Sequence, residues 1–172
     1  HLPVTVLRHA TRMGKGAGLR SGFAEALQRG FAAVVTMDGD GQHSADDIPR
    51  LLAAANRRRG WIVIGARLRK RANQPLYRRL ANEFGDWGIA WGTGYKVADS
   101  QSGQRLYPAD VCALACAGIP GEDFVFEAQV VMSAAQELGT RCVSVPIEAR
   151  YNTLHAAPHI RPGRGDAGVD LL

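Results

Sequence analysis

The chain has 172 residues, 46% hydrophobic and 22% charged, which is typical of one globular domain with its own core. The net charge of +5 favours phosphate-bearing partners, an anionic membrane surface or nucleic acid, but nucleic acid is disfavoured because no known binding signature is present. There is no apolar run of roughly 18 residues, which argues against a membrane-spanning helix. The three cysteines form no Cys-x-x-Cys pair, which argues against a disulfide framework and against a zinc site.

Strands and helices are predicted to alternate along the chain, each from its hydrophobic spacing and its flanking turn residues. The predicted elements are, in order, a strand over Val4–Arg8, a helix over Gly16–Gln28, a strand over Ala32–Met37, a helix capped by Ser44 and ending at Arg57–Arg59, a strand over Ile62–Ile64, a helix from Pro75 to Trp91, a strand over Arg105–Tyr107, a helix over Pro108–Ala117, a helix over Phe124–Leu138 and a strand over Cys142–Ile147.

This alternation predicts an α/β domain over residues 1–150, with a mostly parallel sheet flanked by helices. Residues 151–172 lack periodicity and are predicted to form an irregular C-terminal tail. In such sheets ligands bind beyond the carboxyl ends of the strands. Asp38 and Asp40 follow one predicted strand and Arg67 follows the next, so we expect the functional site at this edge.

The segment Thr36–His43 reads TMDGDGQH and is the most informative part of the chain. Residues two apart in an extended segment point the same way, so Asp38 and Asp40 can converge on one hard cation. Carboxylate oxygens suit Mg²⁺ or Mn²⁺, with a diphosphate at the remaining positions. The alternative is a turn in which the aspartates bind their own backbone.

An Asp-x-Asp pattern also occurs in EF-hands and in phosphohydrolases. An EF-hand is excluded, because its sixth loop position would be His43 instead of glycine and a strand precedes the loop. A phosphohydrolase would use Asp38 as nucleophile and Asp40 as acid. Gln42 counts against that alternative, since such enzymes typically carry Thr or Val there.

Seven short motifs occur in one order, and together they resemble family 2 glycosyltransferases of the GT-A fold. They are Lys15-Gly16 with Ala17 and Leu19, Thr36–His43, Asp47-Ile48-Pro49, Ile64–Arg67, Asp99–Gly103, Phe126-Glu127 and Val145–Ile147. The branch that they most resemble is that of the dolichyl- or polyprenyl-phosphate mannose synthases.

The resemblance implies metal-dependent transfer of a sugar from a nucleotide diphosphate sugar to a polyprenyl or dolichyl phosphate. It places this reaction at the cytoplasmic face of a membrane, with the protein in the cytoplasm or peripherally bound there. The positions that match are Asp38, Asp40 and Gln42 for Mg²⁺ or Mn²⁺, Arg67 for a phosphate of either substrate, Arg78 for the acceptor, Asp99 and Gln101 for the loop over the sugar, and Lys15 for the donor.

The acceptor decides whether a base is required. A phosphate acceptor is already a nucleophile, whereas a hydroxyl acceptor needs a carboxylate base, for which Asp99 and Glu127 are the candidates.

Two departures from the family pattern stand out. The family's opening strand and the aspartate that holds the nucleotide base have no counterpart here, so we expect the domain to be incomplete at its N-terminus. This leaves open a non-catalytic, truncated transferase domain. Gln104 stands where the family usually has an aromatic residue, and we expect looser packing under the Asp99–Gly103 loop.

Overall fold

In the residues that the structure describes, the sheet has four strands, and helices lie along both of its faces. The computed structural model describes residues 3–67, 88–119 and 125–147. The elements are α1 (Lys15–Gln28), β1 (Ala33–Thr36), a 3₁₀ helix (Ala45–Asp47), α2 (Ile48–Arg57), β2 (Ile62–Ala66), α3 (described over 88–93), β3 (Arg105–Pro108), α4 (Ala109–Ala117), α5 (Phe126–Glu137) and β4 (Cys142–Pro146).

The strand order is β1-β3-β2-β4. β2 and β4 are parallel, whereas β3 is antiparallel to both of its neighbours, with Leu106 opposite Val35 on one side and Val63 on the other. Three of the four strands therefore run in one direction and β3 runs against them. The predicted α/β fold class is confirmed. Among the described strands, β3 is the one that departs from the predicted parallel arrangement.

The two faces of the sheet bury two separate hydrophobic clusters, because successive strand residues point to opposite faces. Ile62 and Ile64 pack with residues of α1, α4 and α5. Val63, between them, packs with Leu51 of α2 on the other face. β2 is buried along its whole length, as a strand covered on both faces should be.

Local signals set the helix ends as predicted. The Ser44 hydroxyl accepts a hydrogen bond from the Asp46 backbone N–H, and this cap opens the 3₁₀ helix that leads into α2. Gly139 follows α5 with a φ of 64°, a left-handed conformation that glycine adopts at little cost. Cys112 of α4 is fully buried, whereas Cys116, one turn further along the same helix, is half-buried.

One predicted strand is wrong. Val4–Arg8 is irregular, and Val4 and Val6 are 79% and 57% exposed. A strand needs a neighbour for its backbone N–H and C=O groups, and none of the described strands pairs with this segment.

Several predictions fall wholly or partly outside the described residues. Of the helix predicted from Pro75 to Trp91, only residues 88–93 are described, and these are helical. Arg78 and the tail over 151–172 lie outside the description, so the division at residue 150 stays a prediction. Within the described segments, no helix combines the length and the apolar character needed to cross a membrane.

Candidate functional site

Asp38, just beyond β1, is held by two cationic or hydrogen-bonding side chains. Its Oδ1 lies 2.7 Å from Nζ of Lys15, and its Oδ2 lies 3.5 Å from Nε2 of His43, whose ring is buried. The hydrogen bond from His43 and the ion pair with Lys15 outweigh burial and hold the pKa of Asp38 well below its ordinary value. Asp38 is therefore a fixed, ionised carboxylate.

Lys15 connects Asp38 to a second carboxylate. It is the first residue of α1, and its Nζ also lies 2.6 Å from Oε2 of Glu127 in the first turn of α5. Burial alone would lower the pKa of Lys15, but the two carboxylates outweigh it and raise that pKa. One ammonium group thus neutralises charges from two distant segments.

The position of the Asp38 carboxylate leaves no room for a side chain at residue 103, which is glycine. A Cβ atom added at Gly103 would overlap Oδ2 of Asp38, so the carboxylate occupies the space that any side chain at this position would need. The Thr36 hydroxyl donates to the Gly103 carbonyl over 2.9 Å. The Asp99–Gly103 loop is thereby fixed against the end of β1.

Arg105, the first residue of β3, also holds the Asp99–Gly103 loop, through hydrogen bonds to its backbone. Its side chain is buried and donates to the carbonyl oxygens of Ser100, Ser102 and Glu127. Its Nε also lies 3.6 Å from Oε1 of Glu127. Glu127 is therefore flanked by two cations, Lys15 and Arg105.

Arg67 and Asp99 form a second ion pair at the end of β2. The guanidinium group donates from Nε to Oδ2 over 2.8 Å and from Nη2 to Oδ1 over 2.9 Å. The Arg67 backbone N–H donates to Oδ2 as well, over 2.8 Å. Asp99 is buried, and its backbone has a φ of 52°, a left-handed conformation that is uncommon outside glycine. The two hydrogen bonds from the Arg67 guanidinium group stabilise this conformation.

Asp40 differs from Asp38, because it is exposed. Its Oδ1 accepts a hydrogen bond from the Gln42 backbone N–H over 3.0 Å, as in the turn considered as an alternative. In the parts of the chain that the structure describes, no three His, Cys, Asp or Glu side chains are grouped to hold a metal. Any cation here would need ligands from a substrate or solvent in addition to the aspartates.

The sequence of the chain matches the family model described as glycosyl transferase family 2 over residues 1–116. The chain belongs to this family. The predicted family is confirmed, and the GT-A fold that the family implies agrees with the α/β architecture. Family 2 membership does not favour the phosphohydrolase alternative.

Relatives within the family carry the same kind of name. An undecaprenyl-phosphate mannosyltransferase of Micrococcus luteus is 34% identical over 148 residues, 84% of this chain and 60% of that protein. A UDP-N-acetylglucosamine–dolichyl-phosphate N-acetylglucosaminyltransferase of Methanococcus voltae is 32% identical over 111 residues, 60% and 43% respectively. A polyprenol monophosphomannose synthase of Mycolicibacterium smegmatis is 26% identical over 148 residues, 84% and 55%.

The chain thus spans 43–60% of the length of these three relatives. Their names agree with the branch of family 2 that the motifs indicate.

The structure brings some predicted site residues of this family 2 chain together and separates others. Lys15, Asp38 and Glu127 form one cluster, and Arg67 pairs with Asp99. The remaining predicted residues are Asp40 and Gln101, which are exposed, Gln42, which is half-buried, and Arg78, which is not described.

Sequence reasoning assigned no role to three residues that shape the site. They are His43, Gly103 and Arg105, and each stands within or next to a motif already noted. Gln104 was expected to loosen the packing, but it is fully buried and its Nε2 donates to the Ser44 carbonyl over 2.8 Å. That expectation is wrong, because the Gln104 amide fills the space and ties the loop to Ser44, the cap of the 3₁₀ helix.

Proposed function

We propose that this chain provides the diphosphate-binding part of a site that transfers a sugar from a nucleotide diphosphate sugar to a polyprenyl phosphate. The observation that carries the proposal is the ionised, immobilised Asp38 beside the exposed Asp40 at the end of β1. The names of the family relatives support a polyprenyl or dolichyl phosphate as the acceptor.

The residues present fit a divalent cation that is shared with a diphosphate. Mg²⁺ binds through one or two carboxylates together with substrate phosphates, and Asp38 and Asp40 supply two such groups. Gln42 is the third proposed ligand. When bound, Mg²⁺ or Mn²⁺ would neutralise the charge that develops on the leaving nucleoside diphosphate.

The chain's own cations would assist at the same edge of the sheet. Lys15 lies at the N-terminus of α1, where the helix dipole also favours an anion. Arg67 is the proposed contact for a phosphate of donor or acceptor, and Asp99 orients its guanidinium group. Gln101, exposed at the loop over the sugar, is the proposed sugar contact.

The ion pairs favour a phosphate acceptor over a hydroxyl acceptor. Glu127 is buried between Lys15 and Arg105, and Asp99 is bound at both oxygens by Arg67. Both carboxylates are buried and already face cations of the chain, so neither is placed to receive a proton from an acceptor hydroxyl. A phosphate needs no such base, so neither Asp99 nor Glu127 acts as one in this proposal.

We place the reaction at the cytoplasmic membrane face, with peripheral contact through basic side chains. The net charge of +5 suits contact with anionic headgroups. Binding to vesicles that contain phosphatidylglycerol should fall as salt rises. Binding that is independent of anionic lipid would contradict this placement.

The proposed donor site is tested by thermal melts with Mn²⁺ and GDP, UDP or dTDP. A ligand that binds the native state alone raises the melting temperature, and saturation at about 100 Kd should give a shift of roughly 5–10 °C. We expect one nucleotide to produce a metal-dependent shift that is lost in the double variant Asp38→Asn/Asp40→Asn.

A cooperative melt without a shift for any nucleotide would contradict donor binding by this chain. Turnover of an activated sugar by the same polypeptide would exclude the non-catalytic alternative. Inorganic pyrophosphate with Mn²⁺ is the matched probe for a diphosphate site that lacks contacts to the base.

A further inference from the structure

Lys15 forms an ion pair with Asp38, the carboxylate that the proposed cation needs as a ligand. Its Nζ lies 2.7 Å from Oδ1 of Asp38 and 2.6 Å from Oε2 of Glu127, so it bridges one proposed metal ligand and one residue that is not a ligand. The Lys15 side chain is 25% exposed and that of Glu127 is 7% exposed. The pair that faces the proposed site is therefore Lys15 with Asp38.

A divalent cation arriving alone meets an unfavourable charge balance. It would share Asp38 with an ammonium group, and two cations on one carboxylate repel each other. A diphosphate changes this balance, because its oxygens offer Lys15 a new partner while they also bind the metal. Glu127 is held on its other side by Arg105, whose Nε lies 3.6 Å from Oε1 of Glu127.

We propose that Lys15 couples metal binding to diphosphate binding, so that the cation enters together with the donor instead of before it. In the free chain Lys15 neutralises Asp38 and Glu127. In the loaded chain Lys15 leaves Asp38, keeps Glu127 and donates to a diphosphate oxygen. The inference rests on the proposed function, since it assumes that Asp38 binds the cation of a nucleotide diphosphate sugar.

The test compares the affinity of the full chain for Mn²⁺ alone and for preformed Mn²⁺–pyrophosphate. Water proton relaxation reports both, because it increases when Mn²⁺ binds a macromolecule. Lys15→Gln should bind Mn²⁺ alone at least roughly 5-fold more tightly than the natural chain, the lower end of typical coupling between two ligands. Its preference for Mn²⁺–pyrophosphate over Mn²⁺ should fall by a similar factor.

Two further variants make the result specific. Lys96→Gln removes the same charge from an exposed lysine outside the cluster and should leave both affinities unchanged. Glu127→Gln deprives Lys15 of its second partner and should weaken binding of Mn²⁺ alone, the opposite of Lys15→Gln. This variant also keeps the proposal testable if Lys15→Gln does not give a cooperative melt.

The outcomes separate this inference from the proposed function. If the natural chain binds Mn²⁺–pyrophosphate but folded Lys15→Gln binds Mn²⁺ no more tightly, the coupling is overturned and the donor site stands. If the natural chain binds neither probe, both proposals fail. If Lys96→Gln matches Lys15→Gln, a general charge effect replaces the coupling.

Discussion

The position of Asp38 depends on single residues from separate segments of the chain. Lys15 and His43 hold its two oxygens, and Gly103 provides the space in which the carboxylate lies. A half-buried carboxylate that is paired in this way tolerates little displacement, because its partners are fixed by their own elements. Gly103 is consequently as important to the site as the charged residues.

Two glycine-to-alanine substitutions test this point with opposite expected signs. Gly103→Ala should lower the free energy of unfolding by about 1–3 kcal/mol, since the new Cβ overlaps the Asp38 carboxylate. Gly22→Ala, in the middle of α1, meets nothing within 4 Å and should raise it by about 0.5–1 kcal/mol. Urea unfolding measures both; equal effects would contradict the close packing of Gly103 on Asp38.

Among the elements, those with local signals were predictable and those with distant partners were not. α1 and the Ser44 cap follow from hydrophobic spacing and from a side chain that bonds its own backbone. The Val4–Arg8 strand failed because a strand depends on a neighbour that its own sequence does not specify. The antiparallel position of β3 depends on such neighbours as well.

The site was predictable in its parts, but its pairings were not. The motifs named Lys15, Asp38 and Glu127, because each stands in a recognisable pattern. Their meeting at one ammonium group arises from the packing of α1 and α5 against the sheet, which no local pattern contains. The pairing of Arg67 with Asp99 escaped prediction for the same reason.

Arg105 is the residue through which β3 supports the Asp99–Gly103 loop. Arg105→Met should lower the free energy of unfolding by about 3–5 kcal/mol, because it leaves Glu127 without one cation and three carbonyls without a donor. Arg29→Met is the matched control. Arg29 is exposed and pairs with Glu25 one turn away, so its loss should change stability by no more than about 0.5 kcal/mol.

Urea unfolding of both arginine variants is the measurement. Similar losses in the two variants would show that Arg105 acts as an ordinary surface arginine, in conflict with its burial. A large loss in Arg105→Met alone would support its role beneath the loop.

In the molecule as a whole, the cysteine thiols make the free energy of unfolding depend on pH in the alkaline range. Burial raises the pKa of the Cys112 thiol from 9.0 to about 12, and it raises the pKa values of Cys116 and Cys142 too. The unfolded chain then loses these protons at a lower pH than the folded chain. Stability is therefore fully present below about pH 9 and decreases as the pH rises toward 12.

Urea melts at pH 7 and pH 10 test this response. The natural chain should lose roughly 1 kcal/mol more stability between these pH values than Cys112→Ala, in which this thiol no longer titrates. The comparison is within each chain, so the packing cost of the smaller side chain cancels. Equal losses would contradict a protonated, buried Cys112.

The place of β3 between β1 and β2 has a consequence for how the chain acquires its structure. β1 and β2 are complete by Ala66, yet the strand that joins them begins at Arg105. During synthesis both strands are made well before the strand that lies between them in the described sheet, and strand edges without a partner can pair with other chains. We therefore expect slow sheet formation and a strong dependence of the yield of refolded protein on its concentration.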